Sequence, residues 1–487
     1  MRILYIDIDT LRADHLGCYG YCRDTSPAID RIATEGVALE HCYVSDAPCL
    51  PSRASLHSGR FGIHNGIVNH GGAATDMRIE GPERGFKSRH SLDMWVPQIK
   101  RAGFRTVTIS PFADRHSSWW FYAGFDEILN PGSSGHELAP QVAGPALDWL
   151  RKNGRDDNWF LHVNMWDPHT PYRTPLDYGD PFEGQPMDDW LTEEKIKEHY
   201  NGYGPHSARE TAGLRPNDTE RYPRLPKNIS CKDDYIRWIN GYDTGIKYAD
   251  DHVAMILAEL EKQGILDDTA IIVSSDHGES QGELNVYGDH QTADNVVSRV
   301  PCIIRWPGIE GGRTDHALHY QNDMAATVLE LLGQKVPESW DGVSFAGALK
   351  AERDEGREFL VVSQCAWACQ RSVRWGDWLY MRTYHDGLKD LAPRMLFNVA
   401  EDPRLTRDLA SERPDILNEG AEKLERWHSE MMETGSSEVD PLWTVMGEGG
   451  PHHTIKDLHK YCEILRNSGR AHHADALMAR HEHRTPK

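Results

Sequence analysis

The sequence predicts an α/β fold: a large, mostly parallel sheet flanked by helices, followed by a smaller C-terminal α+β domain. Three observations lead there. Runs rich in β-branched and aromatic residues read as buried strands: I-L-Y-I-D-I at 3–8, F-R-T-V-T-I-S at 104–110, W-F-L-H-V-N-M at 159–165 and T-A-I-I-V-S-S at 269–275. Segments of helical period separate these strands, and that alternation is what a parallel sheet requires. Past residue 352 the pattern tightens into closely spaced short strands, F-L-V-V-S, S-V-R-W-G-D-W-L-Y-M-R-T and R-M-L-F-N-V, as antiparallel pairing demands.

The remaining elements follow from their punctuation. P-A-I-D-R-I-A-T-E-G at 27–36 is a helix with a proline start and a glycine stop. A further helix is expected from His90 to Ala102. Residues 180–233 are rich in Pro, Gly, Asp and Tyr without clear periodicity, as in a long substrate-side insertion. An amphipathic helix runs from about Tyr235 to its glycine cap at Gly264. D-G-V-S-F-A-G-A-L-K-A-E closes the first domain at residue 352, and a helix is expected from Pro414 to Met431. Expected domains are therefore 1–352, 353–440 and a helical arm at 441–487. The arm's paired histidines, His452-His453 and His472-His473, read as surface or interface residues.

Composition excludes several classes of function. A formal charge of −22 argues against nucleic acid or an anionic membrane as partner. No apolar run approaches a membrane span. Met1 leads straight into a strand with no basic leader, so no signal peptide is visible and a cytoplasmic location is expected. Nine cysteines, an odd number without framework spacing, point to reduced thiols rather than disulfides or a zinc knuckle.

The stretch A-P-C-L-P-S-R-A-S-L-H-S-G-R at 47–60 carries the chemistry. It reads as a helix start with Ser52 as cap. Cys49 beside Arg53 at a helix N-terminus would have a stabilised thiolate. Asp9 lies at the carboxyl end of the first strand, where open α/β sheets bind ligands, and Asp276-His277 follows the strand 269–275. Asp7, inside the first strand, reads as a buried, hydrogen-bonded carboxylate. Carboxylates, an imidazole and an oxygen at residue 49 form a sensible set for one divalent cation. Oxygen ligands suit Ca²⁺ or Mg²⁺, and the imidazole tilts toward Mn²⁺.

The whole string resembles the signature of the type I sulfatases, C-x-P-S-R closed by Gly-Arg, with Leu56 one place early. In that family the cysteine is oxidised to formylglycine. I-D-T-L-R-A-D-H-L-G-C-Y-G, D-P-H-T-P-Y, S-S-D-H-G-E, S-R-V-P-C-I-I-R-W-P-G, R-W-G-D-W-L-Y and L-F-N-V-A-E-D-P resemble further segments of the same family. The resemblance implies an alkaline phosphatase-like fold. It implies metal ligation by Asp9, Thr10, Cys49, Asp276 and His277, with calcium first and manganese or magnesium as alternatives. Cys49, Arg53, His169 and His290 would be catalytic, and Asn69, His70, Arg115 and His116 would face the substrate.

The resemblance also implies partners: a small anionic sulfate ester and a maturation enzyme that generates formylglycine. A homo-oligomer could form through the C-terminal arm. By this mechanism one hydroxyl of hydrated formylglycine attacks sulfur while His169 or His290 protonates the leaving oxygen; the second hydroxyl then releases sulfate.

Several positions depart from the family pattern. Thr10 replaces a second aspartate, and His290 stands where many members have lysine. His277 stands where many sulfatases have asparagine, as in phosphonate monoester hydrolases. Ser110-Pro111-Phe112-Ala113 replaces a Lys-Trp-His segment, with Arg115 and His116 close behind. These departures keep a phosphonate monoester or phosphodiester hydrolase as the alternative. A metal-binding protein without turnover would follow if Cys49 were left unconverted.

Overall fold

The computed structural model describes residues 1–78, 93–353 and 355–481. Its strands in chain order begin with β1 (Arg2–Ile8), β2 (Val37–Tyr43), β3 (Asp46–Ala47), β4 (Arg105–Ile109), β5 (Glu127–Leu129), β6 (Trp159–Met165) and β7 (Thr269–Ser274). They continue with β8 (Ser280–Gln281), β9 (Tyr287–Asp289), β10 (Arg299–Val300), β11 (Cys302–Arg305) and β12 (Arg313–Tyr320). The last four are β13 (Leu360–Gln364), β14 (Cys369–Trp375), β15 (Trp378–His385) and β16 (Arg394–Asn398).

The expected large sheet has nine strands in the order β10-β2-β11-β7-β1-β6-β4-β5, with β12 paired to β2. β1 runs parallel to both β6 and β7, placing Asp7 level with Asn164 on one side and Ser274 on the other. Alternation along β1 decides which face each residue serves. Leu4, Ile6 and Ile8 enter the core beneath the helices Pro27–Glu35, Ala139–Asn153 and Lys232–Gln263. Ile3 and Tyr5 enter the opposite core, which also takes Leu56, Trp95 and Met324. Each fully buried aliphatic side chain contributes roughly 1.5–3 kcal/mol. Asp7 shares the parity of Ile3 and Tyr5, so it faces the helix that starts at Cys49.

A second sheet of five strands has the order β16-β15-β14-β13-β3. Its pairs are antiparallel except the last, where Asp46 and Ala47 run parallel to Ser363 and Gln364. The stretch before Cys49 therefore ties this sheet to the first. The helix Pro414–Thr434 covers it through Leu417, Leu424 and Trp427.

Several local expectations change. The run S-V-R-W-G-D-W-L-Y-M-R-T is a hairpin turning at Gly376-Asp377. The insertion 180–233 is mostly turns but holds the helix Glu193–Asn201, capped by Thr192, whose side chain accepts from Lys195 N at 3.2 Å. The long helix starts at Lys232, ahead of Tyr235. The expected helix start at His90 lies outside the described residues, and the helix seen is Trp95–Arg101. Ser52 is not a cap: the helix Cys49–Ser58 begins three residues earlier, with Pro48 at its N-cap position. Among the described residues no helix is long and apolar enough to cross a membrane.

The arm forms three helices, Pro441–Gly447, Leu458–Asn467 and Ala471–His481. The last two pack against Tyr203 and Leu388. Asp440 anchors the first of them: it caps Leu442 N at 3.0 Å and receives both Arg371 guanidinium nitrogens at 2.6 and 2.8 Å. Burial alone would raise its pKa, but Arg371 and His428 hold the carboxyl well below the usual carboxylate range. Because the folded pKa is depressed, this stabilisation is complete above the ordinary carboxylate pKa and is lost as pH falls below it. Asp440→Asn should therefore lower stability by about 3 kcal/mol at neutral pH. In thermal unfolding, the gap between variant and wild type should narrow steadily toward acid pH.

Candidate active site

Three loops at the carboxyl end of the large sheet converge on the helix Cys49–Ser58. Every residue of that helix is buried, including Ser52, Arg53, Ser55, His57 and Ser58. Polar groups buried this way need partners, and Asp46 supplies several. Its Oδ2 accepts from Ser45 Oγ (2.8 Å), Ser55 Oγ (3.1 Å) and Gly62 N (2.7 Å), pinning the helix to the second sheet. At the other end Gly59 has φ +67°, and a Cβ there would lie 2.1 Å from the Trp340 ring. Only glycine fits that turn.

Arg53, one turn into the helix, meets three carboxylates. Its Nη2 and Nε reach Asp7 Oδ2 at 2.8 and 3.2 Å, and its Nη1 reaches Asp9 Oδ2 at 3.2 Å and also Asp276 Oδ2. Asp7 is the buried, hydrogen-bonded carboxylate expected; His162 Nε2 lies 3.4 Å from it. Burial pushes its pKa up, yet Arg53 and His162 bring it below the usual range. For Asp9 the balance goes the other way: burial and Asp276 outweigh Arg53 and Arg115 and raise it well above that range.

Asp9, Asp276 and His277 bring their ligand atoms within 4.8 Å of one another, as do Cys49, His277 and His290. Asp9 Oδ1 and His277 Nε2 are buried without a hydrogen-bond partner. His277 Nδ1 donates to Gly278 O at 2.8 Å, which leaves the lone pair on Nε2, directed at this cluster. An oxygen-rich set with one imidazole, two orphaned ligand atoms and a raised carboxylate fits a divalent cation. Thr10, at φ +58°, links the two carboxylate segments. Its N–H donates to Asp276 Oδ1 (3.3 Å) and its hydroxyl to Asp9 O (2.7 Å).

Around Cys49 the wall is made of imidazoles and arginines. His70 Nε2 lies 4.0 Å from its Sγ. The His290 ring sits 4.1 Å from that of His277 and 5.9 Å from that of His169. The His116 ring is 5.1 Å from His70, and Arg115 lies over the Trp166 ring at 5.0 Å. Burial keeps these imidazoles neutral: His290 and His116 fall to about 3, and His169 and His70 also shift downward. His169 Nδ1 donates to Thr170 O, so its Nε2 is an acceptor. Asn69 Oδ1 accepts from His70 N (2.8 Å) and His452 N (3.4 Å), which orders the loop behind His70.

Two findings depart from the sequence reading. The Cys49 thiol is no stabilised thiolate: burial, then Asp9 and Asp276, push its pKa well up, outweighing Arg115 and Arg53. His453, expected at the surface, reaches into the site, with Nε2 2.9 Å from His70 Nδ1. Trp367 and His206 also line this side. The His453 ring stacks on Trp367 at 4.4 Å, and His206 Nε2 lies 3.0 Å from Asp289. None of the three sits in a motif; the His452-His453 pair was the one signal available.

The family model described as Sulfatase matches residues 2–334. The choline-sulfatase of Rhizobium meliloti is 26% identical over 434 residues, spanning 79% of this chain and 80% of that protein. The N-acetylglucosamine-6-O-sulfatase of Bacteroides thetaiotaomicron is 22% identical over 402 residues, spanning 72% and 71%. Among solved structures, one in complex with its substrate D-glucosamine-2-N,6-O-disulfate superposes with a TM-score of 0.70 at 20% identity, covering 89% of this chain and 98% of that one. The phosphonate monoester hydrolase of Silicibacter pomeroyi gives 0.67 at 19% identity, covering 91% and 97%. These structural likenesses show the shared fold.

Removing a ligand from the cluster should register in binding directly. Titration calorimetry of the chelator-treated protein with Ca²⁺, Mn²⁺ and Mg²⁺ should give weaker binding for Asp276→Asn and His277→Ala, by about tenfold or more. Equal affinity in both variants and wild type would remove the cation from this cluster.

Proposed function

The chain belongs to the sulfatase family and is a sulfuric ester hydrolase, and on that premise we propose that it cleaves the sulfate ester of a small organic or carbohydrate alcohol, using formylglycine made from Cys49. One observation carries the reading: Asp9, Asp276, His277, Arg53 and residue 49, drawn from three distant stretches, meet in one buried pocket. Asp9, Asp276 and His277 would hold a single divalent cation, with Thr10 linking their segments and calcium the first choice. Bound there, it supplies the positive charge that offsets the ester's own oxygens, while formylglycine supplies the hydroxyl nucleophile.

The chain's own residues do the rest. A sulfate ester repels nucleophiles with its negative oxygens, so fixed positive groups must face it. Arg115, held over Trp166, is such a group beside the pocket. Arg53 keeps the three carboxylates together and thereby fixes the floor. His169, neutral with its lone pair on Nε2, takes a proton there; it becomes a donor to a leaving oxygen after that. His290, wedged between His277 and His169, is placed to exchange protons at the same centre. Near-complete burial of Cys49, His169 and His290 favours compact substrates over the interior of a polymer.

A phosphonate monoester or phosphodiester hydrolase on the same residues is the second reading. What favours it is the imidazole of His277 within the ligand cluster, together with His290 at the position where lysine is common in the family.

Rates on an aryl sulfate, a phosphodiester and a phosphonate monoester separate the two readings. The sulfate should be cleaved fastest by at least tenfold. Cys49→Ala should lose about 10³-fold or more of that rate, and intact-mass analysis of active enzyme should show the thiol replaced by an aldehyde. Full activity in Cys49→Ala would overturn both readings.

A further inference from the structure

The C-terminal arm comes closer to residue 49 than a peripheral domain need. Two contacts seat it against the loop that carries His70. Glu448 Oε1 accepts from Ala73 N at 2.9 Å, and His452 N donates to Asn69 Oδ1 at 3.4 Å. Gly71 allows the approach, since a Cβ there would lie 2.0 Å from His452 Nδ1. On its other side the arm grips the turn between β13 and β14. His453 N donates to Ala366 O at 3.1 Å and Thr454 Oγ1 to Trp367 O at 3.4 Å. The His453 ring is then held flat on Trp367, with 22° between planes and 4.4 Å between centroids. His206 braces Trp367 edge-on at 5.3 Å.

We propose that His453 is a positioning residue, holding the His70 imidazole against residue 49 and making the arm part of the active site. This rests on residue 49 being the reacting position. His70 lies between the two, with Nε2 4.0 Å from Cys49 Sγ and Nδ1 2.9 Å from His453 Nε2. An imidazole tied at one nitrogen is fixed in both orientation and tautomer at the other. If His453 donates, His70 Nε2 carries its proton toward residue 49; if His453 accepts, His70 presents a lone pair there. Without that hydrogen bond the ring is free to turn. Misplacing a catalytic-site group by about 1 Å costs on the order of 10²-fold in rate.

The test compares His453→Ala, His453→Phe and His453→Gln with wild type in the full chain. Phe keeps the stack on Trp367 without the hydrogen bond; Gln can restore it. On an aryl sulfate, Ala and Phe should lower kcat by about 10- to 100-fold with KM within a few-fold. Gln should recover most of the loss, and the Phe variant should keep its Tm. A crystal structure of the Phe variant should show the His70 ring turned away from residue 49. A folded Phe variant with wild-type kcat and an unmoved His70 would overturn the proposal. Should wild type hydrolyse neither sulfate nor phosphorus esters, the parent reading fails; the His70 orientation in the Phe variant still decides this one.

Discussion

One guanidinium organises this molecule. Arg53 is buried, and three carboxylates, Asp7 and Asp9 from the end of β1 and Asp276 from the end of β7, close on it. Two carboxylates about 4 Å apart repel by about 4 kcal/mol at an effective dielectric of 20, so the three cannot share a pocket without a cation among them. One arginine balances part of that charge. What remains shows in Asp9, whose pKa is raised by burial and by Asp276. A carboxylate that would otherwise hold a proton is a place where a divalent cation can take the proton's role. The arrangement thus couples folding of the sheet ends to assembly of the ligand set.

The helix bearing Arg53 has no amphipathic pattern to bury it; it is polar on several faces and buried on all of them. Its position comes from its ends and its partners. Asp46 fixes the start through Ser45, Ser55 and Gly62, and the tight turn at Gly59 under Trp340 fixes the exit. Since Asp46 and Ala47 are also a strand of the second sheet, residue 49 sits at the seam between the two sheets. Residues from either side of that seam can therefore reach residue 49. The arm reaches it across the second sheet, whose Arg371 pairs with Asp440 at the head of the arm.

Much of this was legible in the sequence. β1, β4, β6 and β7 announced themselves by composition, and Asp9 and Asp276-His277 by lying where strands end. The Cys49 segment could be picked out by its motif, although not its burial. Other features left no local trace. A two-residue strand such as β3 has no period to detect. The Arg53–Asp7 pair joins residues 46 positions apart, and the His70–His453 pair joins residues 383 apart. Periodicity reports which face a residue takes, not which distant side chain it will meet. The thiolate expected at Cys49 failed for a related reason: a helix N-terminus and a neighbouring arginine lower a thiol's pKa, but burial beside Asp9 and Asp276 outweighs them.

The same electrostatics bear on how a chain of net charge −22 handles an anionic ester. The pocket's imidazoles are kept neutral by burial, so they contribute hydrogen bonds rather than charge. Arg53 is engaged with three carboxylates and has little net field left to offer. Of the arginines beside residue 49, that leaves Arg115, stacked on Trp166 and bonded to Ser134 O at 3.4 Å, as the charge facing outward. One such charge is a weak counterweight to a sulfate in an otherwise acidic protein. On the proposed reading, net attraction for the ester then comes from the cation that the Asp9–Asp276–His277 cluster would hold. The ligand set that assembles the floor of the pocket is also what would let an anion enter it.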